Sequence, residues 1–359
     1  MNHLSTSPTS LLDRVLVEGN ALFIDNSRLS SFTACPRKGQ YEIFLRRIKD
    51  ANKMALIFGT HFHTVMEYRY GFLPVDRPLT EYEIAKLCYL AELCYKDVIV
   101  PMSDHRTTEY LKYIVNLYAR QYAVEDFTIL SVEDRGFVKP VVEQSFAIEV
   151  GNVQGYRIFW TGRIDLGVIY NSEDIYVLDH KTSSMGGDGY FLEFAISNAL
   201  KGYTFALTQL LGRPIKGALI NAAIARKQTR TGTGPEFMRS PRYEFDSVAL
   251  EEWKQNLLTI VDDMIHCAKR GFFPMHTTSC MARFGSCDYF DICTMTPDAR
   301  MLMLNSPLYK DDDWDPLHRG PVNLEEFHSQ PIPDTFRMPV GSALKAPAPS
   351  QHDILSLIQ

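Results

Sequence analysis

Three residues near the middle of the chain have the types and spacing of a hydrolytic site. They are Asp165, in Thr161-Gly-Arg-Ile-Asp165-Leu-Gly, and Asp179 with Lys181, in Ile175-Tyr-Val-Leu-Asp179-His-Lys181-Thr182. The apolar run Ile175 to Leu178 has no polar alternation and reads as a strand buried on both faces. Asp179 and Lys181 end that strand two residues apart, so they project from one face. A charge on a buried strand must be paired, hydrogen-bonded or bound to a metal. The turn Asn171-Ser-Glu-Asp174 folds the preceding strand back, so that Asp165 reaches Asp179 and Lys181. Two carboxylates and a lysine converging at a strand end suit Mg²⁺-dependent phosphodiester hydrolysis. Magnesium takes one or two carboxylates, with water and phosphate completing its shell. Asp165 and Asp179 would supply these, and the backbone carbonyl of His180 another. The metal lowers the pKa of a water and neutralises charge on the phosphate. Lys181 would orient that water or stabilise the developing charge. The plain alternative is a buried Asp–Lys pair that only ends a strand.

The elements that must position these residues are legible from periodicity. Apolar spacing of 3.6 predicts helices over 28–47, with a break near Pro36, and over 53–72, 80–98 and 106–123. Strands follow over 136–149, 155–170 and 174–182. Next come a helix from Phe191 to Leu211, a strand from Ile215 to Ala225, and a long helix over 247–270 started by Asp246-Ser247. Glu143, on the strand before the hairpin, could approach the site but reads first as one half of a cross-strand salt bridge.

Gly-Arg-Ile-Asp165 followed fourteen residues later by Asp179-His-Lys181 resembles the core of the PD-(D/E)XK nuclease superfamily. The nearest likeness is to its RecB-like branch, including AddB nuclease domains and CRISPR-associated iron–sulfur exonucleases. That resemblance implies an α/β fold, a restriction-endonuclease-like core with a central mixed sheet flanked by helices, here with an N-terminal helical insertion and an iron–sulfur staple. It implies that His63, in Gly59-Thr-His-Phe-His63, is a further metal ligand. His61 lies on another helical face, and Glu67, one turn after His63, would orient it. It also implies a Gln-x-x-x-Tyr pair on the helix after the catalytic strand. Tyr203 matches, but Ala199 stands where the glutamine belongs, and Asn198 points about 100° away. The resemblance covers roughly residues 27–295.

Seven cysteines are present, and nothing near Met1 has the charged and apolar regions of a signal peptide, so a cytoplasmic, reducing setting is expected. Cys35 stands alone early; Cys280, Cys287 and Cys293 cluster late, with gaps of six and five residues. This arrangement is similar to the branch's iron–sulfur staple, whose late spacing is Cys-x2-Cys-x5-Cys, so the first gap here is four residues too long. Four thiolates suit a [4Fe–4S] cluster or a Zn²⁺ site. Zinc sites usually show paired short spacings, which this chain lacks. Cys88, Cys94 and Cys267 read as buried small hydrophobes.

With 359 residues, 45% of them hydrophobic, the chain has material for one large core. No apolar run is long enough for a membrane span. The net charge of −6 makes overall attraction to DNA weak, so binding needs a local basic groove. Candidates are Arg37-Lys38, Arg46-Arg47, and Arg226, Lys227 and Arg230 in a flexible loop. No phosphate-binding Gly-x4-Gly-Lys motif appears, which excludes a fused ATP-driven motor. The expected organisation is a leader over 1–26, a nuclease domain closed by the four cysteines over 27–300, and an irregular extension and flexible tail over 301–359. Ile354 to Ile358 is similar to the peptide that docks on bacterial sliding clamps, with Ile354 in place of the expected Gln. These features imply a Mg²⁺- or Mn²⁺-dependent DNA exonuclease acting at single-stranded ends in recombination, repair or replication, in a bacterium or its virus. A catalytically silent DNA-end binder or scaffold is the alternative.

Overall fold

The run Ile175 to Leu178 is buried on both faces: Ile175 and Val177 pack into one core, Tyr176 and Leu178 into another across the sheet. The computed structural model describes residues 11–338, apart from 13–14, 18–19, 52, 135, 228–233, 283–284 and 316–321. Its main strands are β1 (Ala21–Ile24), β2 (Val142–Val153), β3 (Tyr156–Tyr170), β4 (Asp174–Ser183), β5 (Gly217–Ile224) and β6 (Glu236–Arg239). They lie in the order β1–β3–β4–β5–β6, with β2 on the other edge of β3. β1 runs parallel to β3, β4 antiparallel to it, and β5 parallel to β4, so the sheet is mixed.

Helices cover both faces. Against one lie α1 (Asn26–Ala34), α5 (Asn198–Leu211) and α6 (Ser247–Arg270), through Phe32, Leu207 and Trp253 among others. Against the other lie α2 (Met54–Phe72), α3 (Glu81–Cys94) and α4 (Thr108–Gln121), through Phe62, Leu87 and Ile114. α6 starts where expected, with Ala249 N donating to the Asp246 carboxylate at 2.8 Å. No helix among the described residues is long and apolar enough to cross a membrane.

One topological detail creates a cleft. β1 leaves the edge of β3 at Trp160, and β4 joins that edge only at Leu166. Residues 161–165 therefore have no strand beside them there, and the sheet opens at Asp165. The ladder is distorted at the same point: Ile164 packs into one core and Leu166 into the other, although residues two apart on a regular strand share a face. Across the ladder, Glu143 takes the left-handed conformation, with φ 46°. Such irregularities in a ladder re-aim side chains.

Three elements differ from the sequence expectations. The helical stretch expected over 28–47 breaks at Cys35, beside Pro36 as expected, and resumes over Pro36–Gly39 and Gln40–Phe44, but it stops there, and Arg47–Lys49 is a strand paired with Tyr309–Asp311. The helix expected from Phe191 is broken at Ser197, whose hydroxyl accepts from Leu200 N and restarts the helix as α5. The strand expected over 136–149 is interrupted at Val141, whose N–H goes to Leu130 O instead. Beyond Cys293, two short helices, α7 (Pro297–Leu304) and α8 (Leu324–Ser329), flank the strand Tyr309–Asp311, and Phe327 of α8 packs against Tyr68.

Candidate active site

Asp165 sits where the sheet opens. Leu166 pairs with Leu178, which leaves Asp165 opposite Asp179, and the Asp165 carboxylate accepts from His180 N–H at 2.7 Å. α2 brings in His63, whose Nδ1 lies 3.5 Å from Asp165 Oδ2 and 3.5 Å from Glu143 Oε1. α2 can come this close because Gly59 has no side chain: a Cβ there would be 3.1 Å from Thr182 Oγ1. His63, Glu143 and Asp165 offer ligand atoms that all lie within 4.8 Å of one another, a group that could hold a divalent cation. Glu143 does make the expected cross-strand contact, to Arg163 at 3.4 Å. The correction is that it also belongs to this cluster, because its left-handed backbone turns the carboxylate toward His63. Asp179, adjacent but outside the trio, pairs with Lys181 at 2.5 Å. Glu143 had no motif to mark it.

The charges interact strongly. Burial alone would raise the pKa of Asp165, but His63 and then Lys181 hold it well below the usual carboxylate range. Burial pushes Asp179 up to about 6 against the pull of Lys181, with Asp165 adding to the rise. Glu143 is raised by burial and then by Asp165. Burial disfavours the His63 cation, yet Asp165 and Glu143 outweigh it and raise His63 well above its ordinary value. A divalent cation bound by Asp179, Glu143 and His63 would compete with protons for these groups. Its affinity should therefore fall with pH, by about tenfold between pH 8 and pH 5 from Asp179 alone. Calorimetric titration in buffers of different ionisation enthalpy would count the protons released. In the metal-free protein the contribution of Asp179 to stability is present below about pH 4 and lost as pH rises through its folded pKa of about 6. Added cation should consequently raise Tm more at pH 8 than at pH 5.

Behind β4, a buried hydrogen-bonded network fixes the strand end. The His180 ring faces away from Asp179 and stacks on Tyr70, with centroids 5.5 Å apart. Its Nδ1 accepts from Asn221 Nδ2 at 2.9 Å, and burial lowers its pKa to about 3, so it stays neutral. Asn221 also donates to Tyr118 OH at 2.7 Å, and Tyr118 meets Tyr70 OH at 2.6 Å. Tyr70 in turn donates to Glu125, which pairs with Arg239 at 2.6 Å. The links from His180 to Glu125 are buried, so removing one leaves orphaned polar groups. Asn221→Leu should lower activity roughly 10- to 100-fold, as loss of a supporting partner does, and should also lower Tm. A wild-type rate with wild-type Mg²⁺ affinity would show that the network does not act on the site.

The cleft beside Asp165 has a volume of about 530 Å³ and is lined by Thr161, Arg163, Lys181, Ala199, Tyr203 and Trp314 among others. Ala199 and Tyr203 thus share the face of α5 that looks into it. α5 lies close to β3 because residue 202 is glycine: a Cβ would meet Trp160 Nε1 at 2.5 Å. His61 is buried against Tyr95, away from the cleft. Glu143 and Asp165 both place a carboxylate oxygen 3.5 Å from His63 Nδ1. Arg46 and Arg47, candidates for DNA contact, are engaged elsewhere: they bind the carbonyls of Asp312, Leu304 and Tyr309 and hold the C-terminal segment. Arg226 lies beside the end of β4, donating to Ser184 O and pairing with Glu236. Arg230 lies outside the described residues.

Cys35, Cys280, Cys287 and Cys293 line one cavity, although 245 residues separate the first two in sequence. His276 N–H donates to Cys35 Sγ at 3.4 Å, and Cys287 N–H to Cys280 O at 2.8 Å. Thiolates are the donor type that a cluster or a four-thiolate metal takes, although no three of these sulfurs lie within 4.8 Å of one another. Cys88 and Cys94 are buried in the helical core, and burial pushes both thiols up to about 12.

No curated protein matches the sequence. The solved structure named "Crystal structure of SSO0001" is similar at 12% identity and a TM-score of 0.33, over 81% of this chain and 93% of its own. A profile described as the PD-(D/E)XK nuclease superfamily matches residues 26–294, three-quarters of the chain, which include His63, Glu143, Asp165, Asp179 and Lys181. With the mixed sheet opening at Asp165 and the Asp179–Lys181 pair beside it, the chain belongs to the PD-(D/E)XK nuclease superfamily.

Proposed function

We propose that the chain is a Mg²⁺- or Mn²⁺-dependent DNA exonuclease acting at single-stranded ends in recombination, repair or replication, in the cytoplasm of a bacterial or virus-infected bacterial cell. The observation that carries this reading is the convergence of His63, Glu143 and Asp165 with the Asp179–Lys181 pair at one cleft. These four acidic and imidazole groups would hold the divalent cation, which when bound supplies positive charge to the phosphate and a more acidic water. Lys181 keeps its proton, since Asp179 and Asp165 outweigh the effect of its burial. Its ammonium therefore offsets charge developing on the phosphate. Arg163, on the cleft wall, draws the DNA backbone in. The Asp165–His180 hydrogen bond fixes one carboxylate while the other sites exchange protons for metal.

The cysteine cavity takes a [4Fe–4S] cluster in this reading, with a structural role. It is supported by the four cysteines lining one cavity and by the absence of paired short spacings that zinc would favour. Residues 354–358, outside the described residues, would dock on a sliding clamp. A second reading, a silent DNA-end binder, is favoured by Ala199 in the cleft wall, where an amide is expected. A time course on end-labelled single-stranded and duplex DNA, with Mg²⁺, Mn²⁺ or EDTA, separates the two. Cleavage that needs metal and is lost in Lys181→Ala supports the nuclease. Intact DNA bound by folded protein supports the silent binder.

A further inference from the structure

Trp314 lies twenty residues beyond the end of the family match, yet its side chain lines the same cleft as Asp165, Lys181 and Tyr203. The segment carrying it is anchored just upstream. Tyr309–Asp311 pairs antiparallel with Arg47–Lys49, Asp312 N–H donates to Arg46 O at 2.8 Å, and the Arg46 guanidinium returns two bonds to Asp312 O. The indole itself is fixed twice. Its Nε1 donates to Asp25 Oδ2 at 2.6 Å, and the Arg28 guanidinium lies 3.4 Å from the ring centroid. Asp25 also caps α1 through Arg28 N, so ring, cap and helix form one rigid unit.

We propose that Trp314 is a stacking platform for an unpaired nucleobase of the strand entering the cleft. The inference rests on the nuclease reading and deepens it by giving a physical reason for a single-stranded substrate. A ring held at its edge and backed by a cation on one face cannot swing away and still lines the cleft. Every base offers a π-face, so such a platform accepts any sequence but requires a base free of its partner. In a duplex the base faces are already covered by their neighbours. A ring whose task was only to pin the segment would need no place on the cleft wall, because the strand pairing and the Arg46 bonds already pin it. The indole stands with Tyr203 and Phe194 as the aromatic residues of a cleft otherwise lined mostly by polar residues, with Gly162 and Ala199.

The chain has three tryptophans, and Trp160 and Trp253 are fully buried in the core. Intrinsic emission therefore reports a base stacking on Trp314. The experiment titrates an oligothymidylate into the full chain in EDTA, where no cleavage occurs, following tryptophan emission and the anisotropy of labelled DNA together. Expected are quenching in the wild type, no quenching in Trp314→Ala, and an affinity lowered about tenfold or more in that variant. Trp314→Phe should keep most of the affinity, which separates stacking from loss of the segment's fold. Binding without change in emission, or equal affinity in Trp314→Ala, would overturn the platform while leaving the nuclease reading intact. Absence of binding and of metal-dependent cleavage in the wild type would overturn both.

Discussion

Asp165→Asn should lower the cleavage rate by on the order of 10³-fold or more while leaving the protein folded. The asparagine oxygen can still accept from His180 N–H, so the local geometry survives. What disappears is the charge that holds His63 and, with Asp179 and Glu143, would attract the cation. Asp179 and Glu143 are both pushed up in part by the Asp165 charge. Removing that charge should therefore bring both closer to their ordinary values, but it also removes the pairing with His63 and Lys181 that holds Asp165 low, so the metal-free fold should lose some stability at neutral pH. Near-complete loss of activity with only a modest fall in Tm is the signature of charges gathered for catalysis. Lost activity with a collapsed Tm would point instead to a structural ion cluster. A variant as active as the wild type would remove Asp165 from the chemistry.

Cys287→Ser should bleach the visible absorbance of the purified protein and lower Tm by roughly 10 °C or more. Cys287 lines the cavity with Cys35, Cys280 and Cys293, which join the end of α1 to the segment after α6. The closure spans most of the fold, and burial in the metal-free state holds the Cys287 and Cys293 thiols protonated. A bound cluster would replace those protons and staple the two ends. Cys267→Ser, outside the cavity, is the control and should change neither property. A colourless wild type containing zinc would replace the cluster with zinc. A wild type with neither metal would leave the cysteines as packing residues.

Much of the site was readable because its chemistry conflicts with its setting. Asp179 and Lys181 end a run that periodicity marks as buried, and charged residues there need a reason. The hairpin that faces Asp165 toward Asp179 follows from one turn and two apolar strands, so it is local. Gly59-x-x-x-His63 and the lone Cys35 carried meaning only through resemblance, since each is an ordinary residue by itself. Tyr203 and Ala199 were placed on one face by helical spacing alone, and that survived the break at Ser197 because the break precedes them. Arg46 and Arg47 illustrate the opposite case: two exposed-looking cations whose partners lie more than 250 residues away.

The sequence by itself determined which residues carry charge onto a buried strand, the two-faced burial of β4, the hairpin, and the grouping of one early with three late cysteines. These depend on residue type and on spacings of a few positions, which short-range geometry governs. Only the tertiary structure decided that Glu143 joins His63 and Asp165, that Asn221 holds His180, and that Trp314 reaches the cleft. Glu143 depends on a single residue turned into the left-handed region near the start of a strand. Asn221 and Trp314 depend on strands meeting across a sheet and on pairing between segments some 260 residues apart. No periodicity encodes those meetings, because they are chosen by the packing of the whole core.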